Sequence, residues 1–183
     1  MECQVVSSPV SDEVRRSLRA GDKVLLSGVF YTARDAAHYR ICQALEKDEC
    51  LPVELAGQTI YYCGPSPTPP GKAVGSAGPT TSSRLDKYTP CLLKAGVRMF
   101  IGKGQRSSET LQVMRSYGAV YLITLGGCGA YLSKKVTKAE VVAYNDLGPE
   151  AVLRLEVVDF PALVASDTIG GNIFDGCYEL YRR

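Results

Sequence analysis

Residues 23–31 read KVLLSGVFY and residues 34–47 read RDAAHYRICQALEK. The first run is dense in Val, Leu and aromatics, which predicts a buried strand. The second places Ala37, Ile41 and Leu45 on one face of a helix. A strand feeding an amphipathic helix is the working unit of an α/β fold, and the pattern recurs along the chain. Upstream, residues 3–6 suit a short strand. Ser11 suits an N-cap, with Asp12 and Glu13 in the first turn, Arg15, Arg16 and Arg19 behind them, and Gly21 as terminator. Downstream, residues 58–63, 97–101 and 119–125 read as strands. Residues 84–95 and 108–117 read as helices, with Pro90 either kinking the first or starting a second. Residues 126–129 form a turn. The last third changes character: 138–144 and 153–159 look like strands, and Phe160-Pro161 opens a final extended segment to Asp167. These elements predict an α/β domain with a mixed sheet, with residues 1–183 forming one domain.

Composition narrows the function. The chain has 183 residues and a formal net charge of +2, so its total charge implies attraction to neither nucleic acid nor membrane. No apolar run approaches the roughly 20 residues of a membrane span, and residues 1–9 are too polar for a signal peptide. A cytoplasmic protein is expected. Seven cysteines (Cys3, Cys42, Cys50, Cys63, Cys91, Cys128 and Cys177) include no C-x-x-C pair, and His38 is the sole histidine. Such scattered ligands predict no metal site and no iron–sulfur cluster bound by this chain. The cysteines read instead as reduced, buried, small hydrophobes.

Residues 75–86 read GSAGPTTSSRLD and hold too little apolar bulk to fill a core. Glycine and proline let such a backbone turn and approach a ligand closely, and a helix start behind it offers N–H groups to an anion. Three cations share a local context. Arg34 follows the strand ending near Tyr31, Arg84 follows the apolar stretch 73–77, and Lys103 follows the strand ending at Ile101. In open α/β sheets ligands bind beyond the carboxyl ends of strands. Two guanidinium forks and one ammonium there fit a dicarboxylate. Thr80 and Thr81 supply hydroxyls beside them, and an alcohol moves a proton only where neighbouring cations stabilise its alkoxide. His38 reads more readily as a packing residue than as an acid or base. Gly102-Lys103-Gly104 is not a nucleotide phosphate loop, because Gly96 stands one residue too far upstream and no Ser or Thr follows the lysine.

The segments Gly21-Asp22, Ser27-Gly28, Arg34-Asp35-Ala36-Ala37-His38 with Arg40, Gly78-Pro79-Thr80-Thr81 with Arg84, and Ile101-Gly102-Lys103-Gly104 resemble the β subunit of class I, iron–sulfur-dependent fumarate hydratase and L-tartrate dehydratase. The resemblance runs from about Gly21 to Asp175. It implies a swivelling β/β/α domain and a partner α subunit that carries a [4Fe–4S] cluster. It also implies a C4 dicarboxylate substrate, with the residue matching Thr80 as catalytic acid and those matching Arg34, Arg84 and Lys103 holding carboxylates. The expected activity is that of a hydro-lyase interconverting fumarate and L-malate, active only with the α subunit. The alternatives are the β subunit of L-tartrate dehydratase and a non-catalytic dicarboxylate-binding module. The chain's size leaves room for a homodimer. Two departures from the family pattern stand out: Ser83 stands where relatives often carry Gly or Met, and Gln105-Arg106 replaces Gly-Met, adding a cation expected near the rim or in solvent.

Overall fold

The computed structural model describes residues 3–175. Seven strands and five α-helices alternate: β1 (Gln4–Ser8), α1 (Asp12–Ser17), β2 (Lys23–Thr32), α2 (Asp35–Glu46), β3 (Thr59–Tyr61), α3 (Thr89–Lys94), β4 (Met99–Gly102), α4 (Ser108–Ser116), β5 (Val120–Ile123), α5 (Gly129–Leu132), β6 (Val136–Ala143) and β7 (Val152–Ser166). The helices begin where capping chemistry allows. The Val14 N–H donates to Ser11 Oγ at 3.3 Å at the start of α1, and the Thr110 N–H donates to Ser107 Oγ at 3.2 Å at the start of α4. α1 stops well short of Gly21 because Leu18 turns to an extended conformation and is fully buried in the core. Tertiary burial there outweighs local helix propensity.

Strands β1 to β5 pair in parallel, in chain order. β7 then runs antiparallel to β5, β2 and β6. The sheet is therefore mixed, as expected, and the pairings β2–β3–β4–β5–β7–β2 close a ring. The longest seam joins β2 to β7, from Lys23 opposite Leu163 to Tyr31 opposite Arg154. Its register shifts between Leu26 and Gly28, where β7 carries the extra residue, and Gly28, at φ +117°, has no room for a side chain: a Cβ would stand 2.0 Å from the Ser8 carbonyl oxygen. Alternation along each strand divides the core in two. Val24, Leu26, Phe30, Tyr61, Ile101, Leu122, Leu155 and Phe160 pack together on one face. Ile60, Tyr62, Phe100 and Tyr121 face the other way, onto Ala37 and Ile41 of α2, Leu92 and Leu93 of α3, and Met114 of α4.

Three expectations need correction, and one open alternative is decided. The apolar stretch 73–77 is irregular backbone rather than a strand leading to Arg84, and the strand before the loop 75–86 is β3. Over residues 84–95 the chain takes the second alternative, a new helix at Pro90. A 3-10 turn, Ser82–Tyr88, precedes α3, which Pro90 starts because a proline needs no intrahelical donor partner in a first turn. Gly129 ends the 126–129 turn by opening α5. The two C-terminal extended segments are one 15-residue strand, β7, which continues through Pro161 and past Asp159, itself at φ +49°. Among the described residues no helix is long and apolar enough to cross a membrane.

Candidate active site

Parallel pairing puts the carboxyl ends of β2, β3 and β4 side by side, and the backbone just beyond them builds a rim. The ladder continues past the strands: the Ala33 N–H donates to the Tyr61 carbonyl (3.1 Å) and the Tyr62 N–H to that of Ile101 (2.8 Å). The loop 75–86 then wedges between β3 and β4. The Thr80 N–H donates to the Tyr62 carbonyl (2.7 Å), Thr81 bridges Lys103 in parallel, and the Ser82 N–H donates to the Lys103 carbonyl (3.1 Å). Thr80 is thus fixed by a strand-like register rather than by a free loop. Ser82 locks the wedge. Its buried Oγ accepts the Lys103 N–H at 3.1 Å and lies 2.8 Å from the Tyr121 hydroxyl. Gly102 must lack a side chain because a Cβ would fall 2.0 Å from that Oγ.

Arg84 sits one turn into the 3-10 segment. Its Nη2 donates to Thr80 Oγ1 at 2.8 Å and lies 3.1 Å from Asp35 Oδ2. A guanidinium donating to a hydroxyl oxygen leaves the hydroxyl hydrogen to point elsewhere and favours the alkoxide if that hydrogen departs. Arg34 is the N-cap residue of α2 and makes no side-chain cap. Glu150, from the connection between β6 and β7, does that work instead. Its Oε2 accepts the Ala36 N–H at 2.8 Å, while its Oε1 lies 3.4 Å from Arg34 Nη2. The Arg34 side chain threads a slot left by Gly64, where a Cβ would stand 2.6 Å from Arg34 Cδ. Arg34 Nε is buried with no hydrogen-bond partner among the described residues. Lys103 is half-buried, and its Cδ lies 3.5 Å from the place a Cβ on Gly126 would take, so its stem passes the turn after β5.

The fold therefore brings Thr80 and Arg84 into contact, sets Lys103 beside Thr81 in the backbone ladder, and pairs Arg84 with Asp35, the residue next to Arg34. Arg34 itself is held by Glu150 and makes no hydrogen bond to Thr80 or Arg84 among the described residues. The sequence reading missed Glu150. No local signal marks it, because its contact spans 114 residues.

His38 is buried beneath this rim. Its Nδ1–H donates to the Arg34 carbonyl at 2.8 Å, its ring packs against Tyr62 and Tyr88, and its Nε2 has no hydrogen-bond partner among the described residues. Burial lowers its pKa from the ordinary 6.5 to about 4, against the pull of the Arg34 hydrogen bond, so the ring is neutral near pH 7. That is a packing residue, as read. Arg106 overturns the expectation of a cation at the rim or in solvent. Its side chain is fully buried, pairs with Asp86, donates to the Tyr62 hydroxyl at 3.1 Å and to Thr89 Oγ1, and lies over the rings of Tyr62 and Tyr121. It stitches the loop after β4 to the 3-10 turn and α3.

The cysteines divide. Cys42 and Cys63 are buried, and burial pushes the Cys63 thiol up to about 12, which keeps it protonated and inert. Cys3 and Cys50 are exposed, which corrects the reading of all seven as buried; Cys177 lies outside the described residues. Among the described residues no three His, Cys, Asp or Glu side chains group as they would around a metal ion.

Comparison with known proteins adds a family. The one described as Fumarase C-terminus matches residues 3–177. The chain is 37% identical over 168 residues to fumarate hydratase 2 of Leishmania major, covering 89% of this chain and 30% of that protein. It is 37% identical over 154 residues to the aerobic class I fumarate hydratase of Escherichia coli, covering 83% and 28% respectively. It is also 39% identical over 166 residues to a Methanocaldococcus jannaschii protein named provisionally as the beta subunit of L(+)-tartrate dehydratase, covering 87% of this chain and 85% of that protein. The chain spans about 30% of the Leishmania fumarate hydratase and most of the archaeal protein.

Proposed function

Because the chain belongs to the fumarase C-terminus family, we propose that it is the β subunit of a class I fumarate hydratase. In this reading it is a cytoplasmic, single-domain swivelling β/β/α unit that interconverts fumarate and L-malate together with an α subunit carrying a [4Fe–4S] cluster. The observation that carries the reading is the 2.8 Å hydrogen bond from Arg84 Nη2 to Thr80 Oγ1. In the hydration direction the Thr80 hydroxyl gives its proton to the carbon next to the one that gains the hydroxyl group. Arg84 stabilises the alkoxide left behind. In the reverse direction that alkoxide takes the proton back. Lys103 and Arg34 hold the substrate carboxylates and stabilise the charge that builds on one of them as the C–H bond breaks.

A β subunit of L-tartrate dehydratase is the second reading. The observation favouring it is the alignment across 85% of the archaeal protein, against 30% of the Leishmania fumarate hydratase. One experiment tests both: anaerobic co-expression with the iron–sulfur α subunit, then assays of fumarate, tartrate and mesaconate. Turnover of fumarate alone supports the first reading, and turnover of tartrate alone supports the second. In the reconstituted complex Thr80→Ala should abolish turnover while assembly persists. Normal turnover in that variant would remove Thr80 from the mechanism.

A further inference from the structure

Each guanidinium nitrogen Nη carries two hydrogens. Arg84 Nη2 spends both on this chain, one on Thr80 Oγ1 at 2.8 Å and one on Asp35 Oδ2 at 3.1 Å. Only Nη1 and Nε remain for a substrate, and the side-on and end-on forks that grip a carboxylate both require Nη2. Arg84 is therefore not free to clamp a carboxylate in bidentate fashion while the pair with Asp35 stands. Asp35 is the first residue of α2, and the Ala36 N–H beside it is tied to Glu150, so its carboxylate is delivered from a helix end that is itself fixed.

We propose that Asp35 is a positioning residue for the proton-transfer step: it anchors Arg84 so that Nη2 stays on Thr80 and does not swing to the substrate. The inference rests on the reading of Thr80 as the proton donor. The pair is half-exposed, with side-chain exposures of 48% for Arg84 and 39% for Asp35. Exposed pairs contribute little to folding stability, so this aspartate's value to the chain lies in geometry.

The consequence separates two kinetic constants. Without the Asp35 charge, Arg84 loses its anchor and Thr80 loses part of its polarisation, while the freed fork gains access to a substrate carboxylate. In the reconstituted complex Asp35→Asn should lower kcat by about 10- to 100-fold, the worth of one hydrogen bond to a charged group. KM should stay level or fall, and Asp35→Glu should recover part of kcat. A merely structural role would instead raise KM or reduce assembly.

A second measurement is independent of turnover. Nitrogen-15 NMR of the full chain, labelled at arginine, should show slow rotation of the Arg84 guanidinium in the wild type and fast rotation in Asp35→Asn. Unchanged rotation in Asp35→Asn, or a kcat equal to wild type, overturns the proposal. If the wild-type complex converts no dicarboxylate, the functional reading fails, and the rotation experiment still decides whether Asp35 holds Arg84.

Discussion

His38 offers a stability measurement whose sign and size both follow from its surroundings. The imidazole is buried among Tyr62 and Tyr88, donates from Nδ1 to the Arg34 carbonyl, and is pushed down from 6.5 to about 4, chiefly by burial and further by the charge of Arg106. In the unfolded chain the same ring titrates near 6.5, so between pH 6.5 and 4 the unfolded state binds the extra proton. Folding is then disfavoured as pH falls: the contribution is fully present above pH 6.5 and lost progressively down to about 4, at about 1.4 kcal/mol per pH unit. Lowering the pH from about 7 to about 5.5 should cost about 1.2 kcal/mol from this ring, and reaching pH 4 about 3 kcal/mol. Asp167, held below the usual carboxylate range by backbone N–H donors despite partial burial, acts at lower pH, so the upper window isolates the imidazole. The assay is urea unfolding at the two upper pH values for the wild type and for His38→Asn, which keeps a donor near the Arg34 carbonyl and does not titrate. Whatever the variant's absolute stability, its pH dependence between these values should be flatter by about 1.2 kcal/mol. Equal slopes in the two proteins would refute the assignment of a neutral, desolvated ring.

Other substitutions report on single features. Arg106→Met removes the partner of Asp86 and leaves the Tyr62 and Thr89 oxygens with one donor fewer. It should cost about 3–5 kcal/mol in urea unfolding, and a loss below about 1 kcal/mol would show that the buried network is dispensable. Gly28→Ala forces a Cβ against the Ser8 carbonyl at a φ of +117° and should destabilise by about 2 kcal/mol or more, read as a lower denaturation midpoint with an unchanged m-value. Arg84→Lys keeps the charge but cannot reach Asp35 and Thr80 from one planar group, so turnover of the complex should fall at least about tenfold, and wild-type turnover would contradict the role given to the fork.

Much of the architecture was legible because local chemistry punctuates it. Ser11, Ser107 and Pro90 each mark a helix start that the structure keeps, and β4 and β5, buried on both faces, show in sequence as apolar runs. The neighbourhood of Thr80 and Arg84 was legible for a similar reason, since they lie only four positions apart. What escaped depends on distance along the chain. Nothing near Glu150 announces that it caps α2, and nothing around Arg106 distinguishes a buried guanidinium from a solvated one in a polar loop. Its burial is decided by Asp86, Tyr62 and Thr89, which arrive from other segments. The union of two predicted strands into β7 escaped because Asp159 and Pro161 look locally like a break. The long pairing with β2 overrides both.

The capping of α2 by Glu150 also bears on how the chain is made. A ribosome delivers Arg34 and its helix early, whereas the carboxylate that serves them emerges 114 residues after Ala36, just ahead of the strand that completes the ring. Until then the nascent rim is only provisional: the guanidinium stays hydrated and the first turn of the helix stays frayed. Translation products that stop short of residue 150 would carry every cation of the site and still lack the contact that seats the first of them.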